Sequence, residues 1–149
     1  MEVRVGQGFD VHPFVDDPER PLVLGGVTFA SERALRGHSD ADVIAHACAD
    51  ALLGAAGLGD IGQHFPDTDE TWAGADSIEL LAEATRRVRS EGWVPGNVDA
   101  SVVTDQPKLA PARDQMVERL SGAVGAPVSV KGRRPEGLGA LGRGEGVAC

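Results

Sequence analysis

His38-Ser39-Asp40-Ala41-Asp42-Val43-Ile44-Ala45-His46 decides how the rest of this chain is read. Ser39 is placed to cap a helix, because its hydroxyl can accept from the amides of a first turn. Val43, Ile44, Ala47, Cys48, Ala51 and Leu52 then recur at the spacing of one buried stripe, and Gly54 is the expected stop. On the opposite face Asp42, His46 and Asp50 follow at i, i+4 and i+8. A carboxylate one turn to either side of His46 would orient its ring. His38 stands about two turns before His46, so the segment offers chemistry as well as packing.

Upstream, Val3 and Val5 alternate with Arg4 as a short first strand, after which Gly6 and Gly8 loosen the backbone. Asp10 and His12, two apart in an extended segment, leave the same side of the backbone. Three of the four histidines therefore stand beside carboxylates. Asp10, His12 and His46 would fill three corners of a tetrahedral zinc and leave the fourth open, the pattern of a catalytic rather than a structural ion. Beyond the turn-rich Asp16 to Pro21, Leu22 to Val27 reads as a strand or hairpin arm bent at Gly25-Gly26.

Downstream, Gly57 to Asp69 lacks periodicity and reads as a long loop, with Leu58, Ile61 and Phe65 arguing against disorder. His64 in that loop is most simply solvated. Asp76, with Glu79 three residues on, opens a second helix to about Arg89 that carries Ile78, Leu81, Thr85 and Val88 on one side and stops at Gly92. Asn97 to Val103 alternates as a strand and Pro107 breaks it. Pro111 starts a third helix to about Ala123 with Met116, Leu120 and Val124 in register. Val128 to Lys131 and Gly144 to Cys149 supply the closing strands. Strands and helices alternate through one α/β domain spanning residues 1–149.

A chain of 149 residues suits a single core that buries about 70% of the unfolded surface. No apolar run nears membrane-spanning length and no basic-then-apolar leader opens the sequence, so a cytoplasmic protein is expected. The two cysteines, Cys48 and Cys149, show neither knuckle nor redox spacing. The net charge of -9 argues against nucleic acid. An acidic chain that handles phosphates needs divalent cations to do so, which is a second reason to expect metal.

Six stretches carry a resemblance: Gly8-Phe9-Asp10-Val11-His12, Gly37 to Val43, Gly57-Leu58-Gly59-Asp60-Ile61-Gly62, Phe65-Pro66-Asp67-Thr68-Asp69, Pro107-Lys108, and Gly142-Arg143-Gly144-Glu145-Gly146. In this order, over nearly the whole chain, they resemble the 2-C-methyl-D-erythritol 2,4-cyclodiphosphate synthase family of the non-mevalonate isoprenoid pathway. The resemblance implies a chorismate-mutase-like α/β (α+β) domain, with a mixed sheet and helices on one face, assembled as a homotrimer. It implies that the 2-phosphate of 4-diphosphocytidyl-2-C-methyl-D-erythritol 2-phosphate attacks the β-phosphorus and expels CMP. A magnesium or manganese ion on Glu136 is implied beside the zinc.

By the same resemblance His38 and Ser39 contact the attacking phosphate, Asp60 and Gly62 hold the methylerythritol hydroxyls, and Phe65, Asp67 and Asp69 complete that pocket. Asp60 and Glu136 join His38 and Ser39 as catalytic candidates. Pro107, Lys108 and Leu109 fall where relatives bind cytidine. Arg143 and Glu145 line a trimer axis able to hold an isoprenoid diphosphate. On local pattern alone these residues have plainer roles: a helix cap at Ser39, a turn at Asp60, a polar loop at Asp67 and Asp69.

Three features depart from the family. Arg133-Arg134-Pro135 stands where relatives carry a threonine-rich stretch, bringing two guanidinium forks and removing one amide donor. Ala140 replaces a frequent aromatic, and the sequence reaches only Cys149. Two alternatives follow: a metal-containing trimer that binds a phosphate or isoprenoid diphosphate without turnover, and a metal-dependent phosphohydrolase in which water attacks.

Overall fold

The computed structural model describes residues 1–149. In chain order the strands are β1 (Val11–Val15), β2 (Leu22–Leu24), β3 (Val27–Phe29), β4 (Ala34–Leu35), β5 (Val98–Val103), β6 (Val128–Arg133) and β7 (Gly146–Ala148). The α-helices are α1 (Val43–Ala56), α2 (Ile61–His64), α3 (Ser77–Ser90), α4 (Arg113–Val124) and α5 (Gly139–Gly142). Five strands form one sheet in the order β4-β1-β7-β5-β6, and β2-β3 is a separate hairpin. Only β5 and β6 run parallel, joined through α4; the other pairings are antiparallel. The sheet is therefore mixed, as expected.

Alternation along the strands explains why only one face is covered. Ala100, Val102, Val128, Val130 and Val147 are buried beneath the helices, whereas Asp99, Ser101, Ser129 and Lys131 are exposed on the other face. In α4 the expected stripe of Met116, Leu120 and Val124 is fully buried, each side chain contributing about 1.5–3 kcal/mol. Helix α3 packs across α1 and α4 through Leu80, Leu81, Ala84 and Val88. Its N-cap is Asp76, as the Asp76/Glu79 pattern predicts. The Gly25-Gly26 bend takes φ of +60° and +73°, the left-handed pair a two-residue hairpin turn requires.

Several local expectations are corrected. Val3 to Val5 is not a strand; the first ladder begins at Val11 and already contains His12, so this metal candidate lies in a strand and not after one. Residues 1–10 instead run against α1. A Cβ on Gly6 would lie 1.9 Å from Ala51 O, and one on Gly8 1.9 Å from Ala47 O. The cap of α1 is Asp42, which accepts from Ile44 N and Ala45 N, while Ser39 accepts from Ala41 N one turn earlier. Helix α1 passes through Gly54 and ends at Gly57, whose φ of +73° forms the left-handed cap. The long loop after it contains α2 and a 3-10 turn at Glu70–Trp72.

Candidate functional site

Asp10 and His12 project from one side of the chain's entry into β1, while Val11 between them faces away and is 52% exposed. The backbone there is fixed by a reciprocal pair: Asp10 N–H donates to Cys149 O and Cys149 N–H to Asp10 O, both at 3.0 Å. His46 enters from α1. Asp10 Oδ2 lies 3.0 Å from both His12 Nε2 and His46 Nδ1, and the two ring nitrogens are 3.3 Å apart. Tetrahedral bonds of about 2.0–2.1 Å put ligand atoms about 3.3 Å from one another, so one carboxylate oxygen and two imidazole nitrogens at this spacing fit a zinc-type ion. The three side chains are only 26%, 18% and 12% exposed.

Burial alone would raise the Asp10 pKa, but hydrogen bonds from His12 and His46 outweigh it and hold the carboxyl well below its usual range. Burial opposes charge on His12 too, yet the hydrogen bond and attraction to Asp10 raise it above 6.5. His12 Nδ1 sits 2.7 Å from Arg36 O. A carbonyl only accepts, so Nδ1 carries a proton, and Nε2 is the nitrogen that would give up its own to bind an ion.

The acids flanking His46 on α1 do not orient its ring. Asp42 is fully buried and accepts from Gly25 N at 2.8 Å and Gly26 N at 2.7 Å as well as from the helix start. Asp50 accepts from Ile61 N at 3.1 Å. The outer nitrogen of His46, Nε2, instead meets Ser77 Oγ at 2.8 Å and Ser39 Oγ at 3.1 Å, and Ser77 donates to Asp40. Arg20 grips both sides of His38, its Nη2 lying 3.1 Å from Gly37 O and 2.5 Å from Ser39 O. Asp40 lies within the Gly37 to Val43 stretch without a role assigned to it there, whereas Ser77 and Arg20 belong to no motif and become visible only when the fold joins segments 31 and 19 residues apart.

His38 Nε2 reaches Asp69 O at 3.0 Å and so links the metal side to the loop beyond α2. In that loop Asp60 caps α2 through Gln63 N at 2.9 Å, and both Asp60 and Gly62 are exposed. Phe65 is buried edge-on against Trp72, with ring centroids 5.0 Å apart. Asp67 is exposed, and Asp69 caps the 3-10 turn. His64 is not free in solvent. Its Nε2 donates to Leu58 O and its Nδ1 accepts from Arg87, both at 2.8 Å, while Arg87 also covers the Phe65 ring and pairs with Glu83. The loop is thereby stapled to α3.

A second cleft of about 230 Å³ lies at the carboxyl ends of β5 and β6. Pro107, Lys108 and Leu109 line it together with Arg113, Arg133 and Arg134. None of these four cations is ion-paired, an unusual concentration of free positive charge in a chain of net charge -9. The register Val11–Ala148–Val103–Arg133 runs straight across the sheet, placing Arg133 three strands, about 14 Å, from β1. It also puts Arg133 on the exposed face, opposite the one from which His12 reaches α1.

Glu136 is exposed at φ +54°, between Pro135 and Gly137, outside the Asp10–His12–His46 cluster. Arg143 is exposed and its fork is engaged by Glu145, with contacts of 3.0 and 3.2 Å. Cys48 is buried, and burial pushes the Cys149 thiol up to about 12, which leaves neither poised as a nucleophile. No helix is long and apolar enough to cross a membrane.

The sequence profile of the YgbB family matches residues 3–149. A 2-C-methyl-D-erythritol 2,4-cyclodiphosphate synthase of Rubrobacter xylanophilus is 58% identical over 150 residues, covering 98% of this chain and 90% of that protein. Among solved structures, the bifunctional IspDF from Campylobacter jejuni matches with a TM-score of 0.92 at 43% identity, over 99% of this chain and 40% of that one. IspF of Plasmodium falciparum, solved as a CDP complex, matches with a TM-score of 0.82 at 34% identity, over 98% of this chain and 90% of that one.

Proposed function

The chain belongs to the YgbB family, and from that premise we propose that it performs the reaction its relatives are named for, closing 2-C-methyl-D-erythritol 2,4-cyclodiphosphate from the cytidyl-linked 2-phosphate. In that reaction a 2-phosphate oxygen forms a bond to the β-phosphorus. The bond from that phosphorus to the bridging oxygen breaks, and CMP departs with the electron pair. Phosphoryl transfer of this kind asks for alignment and charge neutralisation more than for covalent help. The observation that carries the reading is the convergence of Asp10, His12 and His46 on one point, within a chain similar to these synthases along its whole length.

A zinc ion held by Asp10, His12 and His46 supplies Lewis acidity and shields phosphate charge when bound. The chain's own residues do the rest. Ser39 and His38 flank the triad, and Arg20 holds their backbone for contact with the attacking phosphate. The free carboxylate oxygen of Asp60 and the backbone of Gly62 take the methylerythritol hydroxyls, with Phe65, Asp67 and Asp69 closing the pocket. Glu136 offers the single exposed carboxylate that magnesium or manganese needs when most of its remaining ligands are phosphate oxygens and water.

Pro107, Lys108 and Leu109 receive the cytidine, and Arg133 and Arg134 its phosphates, in line with the CDP bound by the Plasmodium falciparum relative. The Arg133-Arg134 pair replaces neutral hydroxyl contacts by charge-assisted ones. The triad and Arg133 lie on opposite faces of one chain's sheet, which supports a site completed by a neighbouring copy in a chorismate-mutase-like homotrimer. The same assembly would cover Val3, Val5, Phe9 and Val11, all at least 52% exposed, an apolar stripe that a lone subunit would leave in water. An isoprenoid diphosphate at the axis would have to displace Glu145 from the Arg143 fork.

The test is incubation with the cytidyl substrate, zinc and magnesium, following CMP by chromatography and the product by phosphorus NMR. Cyclic diphosphate with stoichiometric CMP is expected, with loss of turnover in Glu136→Ala. A linear diphosphate would replace this reading with hydrolysis. Nucleotide binding without CMP would replace it with a non-catalytic binder.

A further inference from the structure

We infer that Ser77 and Asp40 form a hydrogen-bonded brace that fixes the tautomer and ring plane of His46 and so sets the affinity of the metal centre. The inference rests on reading Asp10, His12 and His46 as metal ligands.

The proton positions follow from donor counting. Asp40 uses both carboxylate oxygens as acceptors: Oδ2 takes Ser77 N at 3.1 Å, and Oδ1 takes Asp42 N at 3.1 Å together with the Ser77 hydroxyl. A carboxylate with these partners has no proton to give. The Ser77 hydroxyl hydrogen is therefore committed to Asp40, and its lone pairs face His46 Nε2 at 2.8 Å. His46 must bring the proton to that contact, which makes Nδ1 the nitrogen presented at the point shared with Asp10 and His12, where a bound ion would take its lone pair. The Ser39 hydroxyl stands 3.1 Å from the same Nε2 and 3.3 Å from Ser77 Oγ, an additional acceptor on the same side.

Ser77 is fully buried and Ser39 is 6% exposed, so water does not readily replace either hydroxyl. The two histidines are thus prepared in complementary ways. His12 is held through a backbone carbonyl on Nδ1 and presents Nε2, whereas His46 is held through a serine–carboxylate pair on Nε2 and presents Nδ1. Outer partners of this kind raise ligand basicity and hold the ring where binding needs it. A purely architectural role for Asp40 and Ser77, joining the His38 segment to the start of α3, would cost stability without altering the ring.

The experiment uses the full chain as wild type, Ser77→Ala, Ser77→Thr and Asp40→Asn. Zinc affinity is read by chelator competition, cobalt by its visible spectrum, the His46 tautomer by nitrogen NMR of the metal-free protein, and folding by thermal melts. Ser77→Ala is expected to weaken zinc about 10–100-fold, to shift the cobalt bands and to lose the single Nε2–H tautomer. Ser77→Thr, which keeps the hydroxyl, should recover most of the affinity. Asp40→Asn should fall between them, and it stands in should Ser77→Ala fail to fold. Zinc affinity within twofold of wild type and an unchanged tautomer in Ser77→Ala would overturn the brace alone. Failure of wild type to bind zinc or cobalt would overturn the metal reading beneath it.

Discussion

Gly8→Ala tests how the N-terminal segment places Asp10. The added Cβ would stand 1.9 Å from Ala47 O, with Ala51 N and Ala47 C at 2.8 and 2.9 Å. These are backbone atoms in the middle of α1 and cannot swing aside as a flexible side-chain end would. Relief to 3.0 Å, below which real Cβ contacts essentially do not occur, requires the segment to lift by at least about 1.1 Å. Asp10 lies two residues on and must hold its carboxylate 3.0 Å from both ring nitrogens. Overpacking of this kind costs about 1–3 kcal/mol of stability, and a metal ligand displaced by an ångström should weaken zinc at least about tenfold, or 1.4 kcal/mol. Gly6→Ala is the control. It meets Ala51 O at the same 1.9 Å but lies four residues from Asp10, so it should lower the melting temperature comparably and affect zinc less. Chelator competition and thermal melts on both variants decide the matter. Unchanged zinc affinity in Gly8→Ala, or a larger loss in Gly6→Ala, would refute the reasoning.

Three further outcomes follow from the same geometry. Asp42→Ala removes an acceptor from two helix amides and two hairpin amides, all at 2.7–3.2 Å; after the relief of no longer burying a charge, a loss of about 3–5 kcal/mol is expected, seen as a lower urea midpoint at constant slope. With the His12 pKa raised, zinc must displace a proton, so its affinity should begin to fall while the pH is still above 6.5 and continue falling through acid, which chelator titrations across pH will show. In the metal-free protein the His12 contribution to stability should be complete below pH 6.5 and lost as pH rises through its higher folded value, while that of Asp10 disappears only as pH falls through its depressed one. Arg87→Met frees His64 and Phe65 from α3; steady-state kinetics should show KM rising roughly tenfold, about 1.4 kcal/mol of lost positioning, with zinc affinity unchanged.

Much of the fold was legible because burial imposes periods. Although α1 is covered on more than the one stripe expected, with Ala45, Ala49 and Leu53 buried and Ala51 only half-buried, the stripes of α3 and α4, the alternation of β5 and β6, and the glycine bend of the hairpin stand at their expected places. So does the Asp10–His12–His46 cluster, since two residues on one side of an extended segment and one on a helix need only a single crossing to meet. What failed was the assignment of local jobs. Val3 and Val5 alternate like a strand, yet both are exposed and join no ladder, while Gly6 and Gly8 lie close against α1. Ser39, Asp40 and Asp42 are all good caps, and the choice among them is made by Ala41 at φ +59°, which turns Ser39 away from the helix start. Gly54 stays within α1 because the left-handed cap that ends the helix is supplied by Gly57. The partners of the His46 ring come from Ser77 and Ser39, not from its helical neighbours, because Asp42 and Asp50 are already committed to amides.

The reciprocal bonds between Asp10 and Cys149 bear on biosynthesis. Asp10, a candidate metal ligand, is braced by Cys149, and β1 pairs with β7 across more than 130 intervening positions. Such closure is among the slowest kinds of contact to form. As the polypeptide emerges, the helices and the hairpin can settle early, but the pocket has no finished floor until residues 146–149 have been translated. A nascent chain stalled before that point would bind zinc loosely.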